Sequence, residues 1–301
     1  MSEQFCTVSG DVELCYESFG DPADPALLLT MGLATQMIGW HEDFCQALAD
    51  RGFHVIRYDN RDVGRSGSMP GRAPTLVQLL RRDKRAASYT FEDMAGDAVG
   101  LLDHLDIQRA HVMGASMGGV LAMIAALKHP ERVRSLTLVC TAARLQVWRR
   151  ELFEGWIATA ETSGMRAYVT QNLSWMIGQQ SWRRLWPLAN VVGPLAVRAP
   201  VHGLVGQIRG MLDAADLLLA RLGEITAPTL VVVGSNDILT PPPDSELLAA
   251  AIPDARLEII QGAAHGLMIE HAWPFNRIVL DFLSSVPDKP FSGPRPPLPG
   301  P

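Results

Sequence analysis

Short apolar runs alternate with amphipathic helical stretches along most of the chain, and this alternation leaves few architectures open. The strand-like runs 26–30 and 54–58 are each followed by a stretch with helical periodicity. The helix that starts at Phe91 has Thr90 as its N-cap and Asp93 three residues later, which is the pattern of a capping box. Because strands and helices alternate, the sequence predicts an α/β fold with a mostly parallel sheet flanked by helices.

One long segment, between the predicted strands 133–139 and 229–233, differs in composition from the rest. It holds five of the seven tryptophans. Between Arg144 and Met211, eight arginines face three glutamates, so this segment carries +5 and the remainder of the −6 chain carries −11. We interpret the segment as an insertion. In one interpretation the tryptophans offer apolar contact to a substrate and the arginines attract an anionic group on it. In the other, the tryptophans form the core of the insertion itself and the arginines lie on its solvated face.

Composition excludes several classes of protein. The net charge of −6 argues against a dedicated nucleic-acid binder. The four cysteines have no disulfide or zinc-ligand spacing, which indicates a reducing compartment. We see neither a signal peptide nor an apolar run of about 18 residues, the length of a membrane span. We therefore expect a cytoplasmic protein, with peripheral contact to a membrane or the cell envelope left open.

Ser116 lies in the sequence VMGASMGG, between Gly114 and Gly118. A predicted strand enters this segment and an apolar helix leaves it, which is typical of a nucleophile elbow. In such an elbow the glycines relieve crowding around a strained turn, and the serine oxygen stands at the helix N-terminus. The alternative is a glycine-rich turn in which the serine merely caps the helix.

A serine nucleophile needs a base and an acid, and both occur where later predicted strands end. Asp237 follows the first strand after the insertion, and His265 follows the next one with a glycine beside it. We predict that Ser116, Asp237 and His265 form a catalytic triad. The alternatives are an aspartate turn at Asp237 and a base at His41 or His271.

An acyl-transfer site also needs two backbone N–H groups that bind the oxyanion. One is expected from Met117, the residue after the serine, and the other from the loop that follows the strand 26–30. That loop reads Met31-Gly32-Leu33-Ala34, and we predict that Leu33 is the second donor.

Five segments together resemble the α/β-hydrolase superfamily of serine esterases. They are LLLTMGLATQMIGW, IRYDNRDVGRS, VMGASMGG, PTLVVVGSNDILTPP and GAAHG. Within that superfamily the chain is most similar to aclacinomycin methylesterase-like enzymes and LipG-type lipase/esterases, which share its SGDVEL and FGDPADPALLL opening.

The resemblance implies an α/β-hydrolase fold with a mostly parallel eight-stranded sheet flanked by helices. A core of residues 1–141 and 213–286 would carry a helical cap, residues 142–212, inserted after strand 6. The resemblance also implies the same triad and oxyanion donors, with no metal or organic cofactor. The tail 287–301 holds seven prolines, and we expect it to be extended and mobile, or else a docking segment.

Two positions depart from the family pattern. In the segment from Asp59 to Ser66, which is similar to the family's DxRGxGxS turn and which we interpret as structural, Asp62 replaces the usual glycine. The usual His-Gly opening of the oxyanion loop is Met31-Gly32 here. The second change removes a polar group and leaves the backbone donor in place.

The expected activity is hydrolysis of carboxylic esters, with a preference for hydrophobic or lipid esters, through an acyl-enzyme on Ser116. A thioesterase or phospholipase would use the same triad, and a C–C bond hydrolase or cofactor-free perhydrolase would fit the same serine elbow. A non-catalytic ligand-binding protein on this fold is the alternative of another class. The expected partner is a small-molecule ester or lipid.

Overall fold

The computed structural model describes residues 2–8, 12–67, 89–176 and 197–287. In chain order the strands are β1 (Gln4–Val8), β2 (Val12–Phe19), β3 (Ala26–Thr30), β4 (His54–Tyr58), β5 (Ala110–Ala115), β6 (Val133–Val139), β7 (Thr229–Gly234) and β8 (Ala255–Ile260). They form one sheet in the order β1-β2-β4-β3-β5-β6-β7-β8. β2 pairs antiparallel with β1 and β4, and the remaining pairs are parallel. The predicted eight-stranded, mostly parallel sheet is confirmed.

Helices cover both faces of this sheet. In chain order they are α1 (Glu42–Ala49), α2 (Phe91–His104), α3 (Met117–Lys128), α4 (Val147–Met176), α5 (Val201–Leu219), α6 (Pro242–Ala251), α7 (Leu267–Glu270) and α8 (Ala272–Ser285). The predicted capping box begins α2: Thr90 Oγ1 accepts the Asp93 N–H at 3.1 Å, and the Asp93 carboxylate accepts the Thr90 N–H at 2.7 Å. Every described helix is too short or too polar to traverse a lipid bilayer.

The core lies on both faces of the parallel strands, as expected for a sheet covered on two sides. All five residues of β3 are buried. Leu27 and Leu29 pack in the same apolar cluster as Phe275 of α8, whereas Leu28 packs with Ile56 in a different cluster. The alternation follows from the two-residue period of a strand, which sends successive side chains to opposite faces.

The segment inserted after β6 consists, as far as it is described, of the long helices α4 and α5. A break at Gly164 (φ 79°) interrupts α4, and Phe153, Trp156 and Tyr168 pack against one another on it, with ring centroids 5.0 and 5.8 Å apart. The predicted boundary at residue 212 lies inside α5, which continues to Leu219. Trp182, Trp186 and the tail from residue 288 onward lie outside the described residues.

The arginines of the insertion do not form a single solvated face. Arg149, at the start of α4, is almost completely buried and is ion-paired with the buried carboxylate of Asp244 in α6. Arg150, one residue later, donates to the carbonyl of Leu212 in α5. At these two positions the basic side chains tie helices together, and Arg149 joins the insertion to the core.

Candidate active site

Ser116 occupies a strained turn between β5 and α3. Its φ of 53° and ψ of −119° are uncommon for a residue with a side chain. Hydrogen bonds fix the turn: the Ser116 N–H donates to the carbonyl of Val139 at 2.8 Å, and its own carbonyl accepts the hydroxyl of Thr141 at 2.7 Å. The side chain is half-buried at the N-terminal end of α3, where the helix dipole favours negative charge.

The glycines around Ser116 are required by close backbone approach. A Cβ at Gly114 would lie 2.1 Å from the carbonyl oxygen of Gly118, and a Cβ at Gly118 would lie 2.2 Å from that of Thr30 in β3. Both distances are far below van der Waals contact. The strand–turn–helix geometry that the GxSxG pattern predicts is therefore present, and it depends on these positions lacking side chains.

Asp237 and His265 form a buried hydrogen-bonded pair in the turns that follow β7 and β8. The distance from Asp237 Oδ2 to His265 Nδ1 is 2.8 Å. Asp237 Oδ1 accepts the N–H groups of Leu239 and Thr240, each at 2.9 Å, and the Thr240 hydroxyl donates to Oδ2 at 2.8 Å. The turn is thus built around the carboxylate.

These partners set the charge state of Asp237. Burial acts to raise the pKa of its carboxyl, but the charge and hydrogen bond of His265, with the hydrogen bonds from Thr240, outweigh burial and hold the pKa below its ordinary value. The carboxylate is therefore ionised at neutral pH. An ionised carboxylate at Nδ1 favours the His265 tautomer that carries its proton there, which leaves Nε2 as an acceptor.

His265 Nε2 is buried and has no hydrogen-bond partner in the described part of the chain. The Ser116 hydroxyl therefore makes no hydrogen bond to it in this structure, and the nitrogen can take a proton from a hydroxyl that comes within hydrogen-bond reach. Neither alternative base shares this arrangement. His41 is an exposed N-cap of α1, and His271 ends α7.

A glycine beside His265 lets the insertion approach the site. The N–H of Gly266 donates to the carbonyl of Met176, the last residue of α4, at 2.7 Å. A Cβ on Gly266 would lie 2.8 Å from that same oxygen. Contact with α4 thus explains why a glycine, Gly266, follows His265.

The loop after β3 runs alongside the nucleophile. A Cβ at Gly32 would lie 3.2 Å from Ser116 Cβ, and the N–H of Thr35 closes a turn on the carbonyl of Gly32 at 3.2 Å. Leu33 lies inside this turn. Met117, the other predicted donor, is the first residue of α3, so its N–H has no carbonyl one turn earlier in the helix to bind.

The turn that begins at Asp59 holds both ends of this loop. Asp59 Oδ1 accepts the N–H of Met37 at 2.7 Å, and the side-chain amide of Asn60 donates to the carbonyl of Met31 at 3.0 Å. Asp62 adopts a φ of 63°, which accounts for the glycine usual at this position, since aspartate tolerates this conformation better than most residues.

Sequence reasoning missed Cys140, which lies next to the Asp237–His265 pair. Its Sγ, a carboxylate oxygen of Asp237 and a ring nitrogen of His265 lie within 4.8 Å of one another. Burial, and secondarily the Asp237 charge, raises the pKa of the thiol well above its ordinary value. The thiol is therefore protonated at neutral pH.

Residues 25–272 match the family described as alpha/beta hydrolase fold. The chain belongs to this family, and the fold and family together define it as an α/β hydrolase.

Its relatives include hydrolases of several kinds. It is 32% identical over 275 residues to the protein named carbamate hydrolase RutD of Variovorax paradoxus (strain S110), covering 91% of this chain and 97% of that one. It is 30% identical to rhodomycin D methylesterase DauP of Streptomyces sp. (strain C5), covering 85% and 90%. Among solved structures, it is similar to the enol-lactonase from Burkholderia xenovorans LB400, with a TM-score of 0.81, 30% identity and coverage of 94% and 100%. The predicted likeness to methylesterases is confirmed.

Proposed function

We propose that the chain is a serine-dependent hydrolase of carboxylic esters in which Ser116 is the nucleophile. The observation that carries the proposal is the buried Asp237–His265 pair, with 2.8 Å between Oδ2 and Nδ1 and no hydrogen-bond partner at His265 Nε2 among the described residues. The turns after β5, β7 and β8 lie at the same edge of the sheet because these strands run parallel.

In the proposed cycle, His265 Nε2 takes the hydroxyl proton of Ser116 while the oxygen attacks the ester carbonyl carbon. The N–H groups of Leu33 and Met117 bind the oxyanion of the tetrahedral intermediate. Asp237 stabilises the imidazolium. The C–O bond to the alcohol then breaks and His265 returns the proton to the leaving oxygen. Water, deprotonated by His265, hydrolyses the acyl-enzyme and regenerates Ser116.

A hydrophobic substrate is supported by exposed apolar side chains that lie close in the chain to the proposed site residues. Ile238 follows Asp237 directly and is 57% exposed, and Ile269, four residues after His265, is 72% exposed. Ile38, in the 3₁₀ turn after the oxyanion loop, is 57% exposed. Exposed apolar surface at a catalytic edge suits an ester with a hydrophobic acyl or alcohol group. The proposal accordingly extends to hydrophobic and lipid esters.

Carbamate hydrolysis is a second candidate, favoured by the names of relatives such as the Variovorax protein. A carbamate carbonyl is attacked by the same nucleophile and stabilised by the same oxyanion donors. It differs from an ester in the nitrogen bound to its carbonyl carbon, so matched substrates separate the two activities.

The test is hydrolysis of p-nitrophenyl esters from acetate to palmitate by wild type and Ser116→Ala. A p-nitrophenyl N-alkylcarbamate, a thioester and phospholipid vesicles are assayed alongside. Ser284→Ala, at an exposed serine of α8, is the matched control. We expect Ser116→Ala to lose about 10⁴-fold or more in kcat/KM and the control to keep wild-type activity. Ester hydrolysis that persists in folded Ser116→Ala would overturn the serine mechanism.

The ratio of ester to carbamate turnover decides between the two candidates. Faster hydrolysis of the ester supports an esterase, and faster hydrolysis of the carbamate supports the second candidate. A folded wild type that is inactive on every substrate and forms no adduct with a fluorophosphonate would point to a ligand-binding protein.

A further inference from the structure

Gln207, in the middle of α5, connects the inserted segment to the oxyanion loop. Its side chain is completely buried, and both ends of its amide are hydrogen-bonded. Oε1 accepts the N–H of Ala34 at 2.9 Å, and Nε2 donates to the carbonyl of Arg61 at 3.1 Å. One side chain of the insertion thus bridges two loops of the core.

Its partner Ala34 directly follows the predicted oxyanion donor. Ala34 has a φ of 51°, a left-handed conformation that is costly for a residue with a Cβ and persists only where its surroundings enforce it. The hydrogen bond from Ala34 to Gln207 is such a constraint. The turn it stabilises includes Gly32, which lies against Ser116.

The same hydrogen bond determines which N–H groups remain available. Gln207 takes the N–H of Ala34, and the carbonyl of Gly32 takes that of Thr35. The N–H of Leu33, next to Ala34 in this turn, has no acceptor among the described residues and remains available. An N–H in this state is available for the proposed role of Leu33 as an oxyanion donor.

The other end of the Gln207 amide is anchored to a rigid part of the core. The Arg61 guanidinium makes two hydrogen bonds of 2.6 Å to the buried carboxylate of Asp97 in α2. A paired, fork-like contact of this kind fixes the position of its residue. Gln207 is therefore held on one side by a well-placed carbonyl while it holds the oxyanion loop on the other.

We propose that Gln207 is a positioning residue that places the Leu33 N–H for oxyanion binding, so that α5 takes part in transition-state stabilisation. The inference rests on the proposed ester hydrolysis. A hydrogen bond that orients an oxyanion donor affects the transition state more than the bound ester, because the negative charge develops only as the tetrahedral intermediate forms. The effect therefore falls on kcat.

The test is Gln207→Met, which keeps the length of the side chain and removes both hydrogen bonds. We expect kcat for p-nitrophenyl esters to fall by about 10- to 100-fold with KM within about threefold of wild type, since this residue acts through a donor whose complete removal costs about 10²–10³. Affinity for a trifluoromethyl ketone, which forms a tetrahedral oxyanion on the serine, should fall in parallel with kcat/KM.

Two further variants separate positioning from general loss of packing. Asn172→Leu is the matched control, because Asn172 is a buried amide of α4 whose side-chain N–H donates to Tyr168 of the same helix and to no other described residue. It should lose stability while keeping the wild-type affinity for the ketone. Gln207→Glu keeps an acceptor for the Ala34 N–H and should retain more kcat than the methionine variant.

The outcomes distinguish this inference from the proposed function. If wild type hydrolyses no ester, the proposed function fails first. If wild type is active and both Gln207 variants match Asn172→Leu in kcat and ketone affinity, the inference is overturned and the ester hydrolase stands. If Gln207→Met does not fold, Gln207→Ala, which also removes the acceptor for the Ala34 N–H, is measured in its place: a lower kcat with unchanged KM supports the inference, and wild-type kcat overturns it.

Discussion

The turn that carries Ser116 and the turn that carries Asp237 are built in opposite ways. Around Ser116 the geometry depends on missing side chains, since a Cβ at Gly114 or Gly118 would lie little more than 2 Å from a backbone oxygen. Around Asp237 it depends on added contacts, because four hydrogen-bond donors converge on the two carboxylate oxygens. Steric construction tolerates no change, whereas a polar network weakens one bond at a time.

The largest combined loss of stability and activity is expected from Gly118→Ala. The added methyl group would lie 2.2 Å from the Thr30 carbonyl oxygen, so either β3 or the elbow must move. We expect the free energy of unfolding to fall by about 3 kcal/mol and kcat by about 10³-fold, measured by urea unfolding and ester hydrolysis. Gly155→Ala, at an exposed position of α4 with open space around it, should instead stabilise the protein by about 0.5–1 kcal/mol. Wild-type activity in Gly118→Ala would refute the steric account.

Asp237→Asn should lower kcat by about 10⁴-fold, because the amide no longer fixes the His265 tautomer. The protein should remain folded, with only a modest decrease in Tm. Asp244→Asn is the comparison, since it changes a buried carboxylate that pairs with Arg149 instead of His265. Breaking that pair should cost about 3–5 kcal/mol of stability and leave kcat near wild type. Equal losses of activity in the two variants would contradict the assignment of Asp237.

Thr240→Val removes one hydroxyl donor from Asp237 and should act more weakly. The free energy of unfolding at pH 7 should fall by about 2 kcal/mol, as for a hydrogen bond to a charged group. The pKa of Asp237 is depressed in the folded state, so its stabilising contribution is complete above about pH 4 and is lost as the pH falls through the folded pKa. The Thr240 hydroxyl is one of the groups that lower this pKa, so the variant loses less free energy of unfolding than wild type when Asp237 is protonated.

The difference in unfolding free energy between wild type and Thr240→Val should therefore narrow below pH 4. Urea unfolding between pH 2.5 and 7 measures it, in the range where the wild type still unfolds reversibly. A difference that stays constant with pH would show that Thr240 contributes packing and not stabilisation of the charge.

The smallest effect is expected at the cysteines. All four are buried free thiols, and burial raises the pKa of Cys15 and of Cys45 to about 12. Because only the thiolate reacts readily, iodoacetamide at pH 8 should leave the hydrolysis rate unchanged. Four alkylations should appear once urea exposes the chain. Inactivation of the folded protein through Cys140 would mean that this thiol is accessible beside Asp237.

The sequence predicts those parts of the candidate site that depend on local pattern. Ser116 was predicted from glycine spacing, and Asp237 and His265 were predicted from their positions after apolar strands. Such signals are readable because a strained turn and a strand end each restrict nearby residue types. Thr240 could have been found the same way, since a hydroxyl three residues after an aspartate often completes its turn.

The contacts of Gln207, Arg149 and Cys140 could not be predicted in this way. Gln207 meets Ala34 across 173 residues, and Arg149 meets Asp244 across 95, so no local pattern records either contact. The charge count of the insertion was misleading at Arg149, because a sum of charges does not show which side chains are buried.

The central claim is that Ser116 is activated by the Asp237–His265 pair, and fluorophosphonate labelling followed by mass spectrometry tests it most directly. The account predicts one adduct per chain, located on Ser116, with ester hydrolysis lost in proportion to labelling. Ser116→Ala should take up no label, and Asp237→Asn should react much more slowly. A folded, active enzyme that stays unlabelled, or one labelled at another residue when its activity is lost, would contradict it.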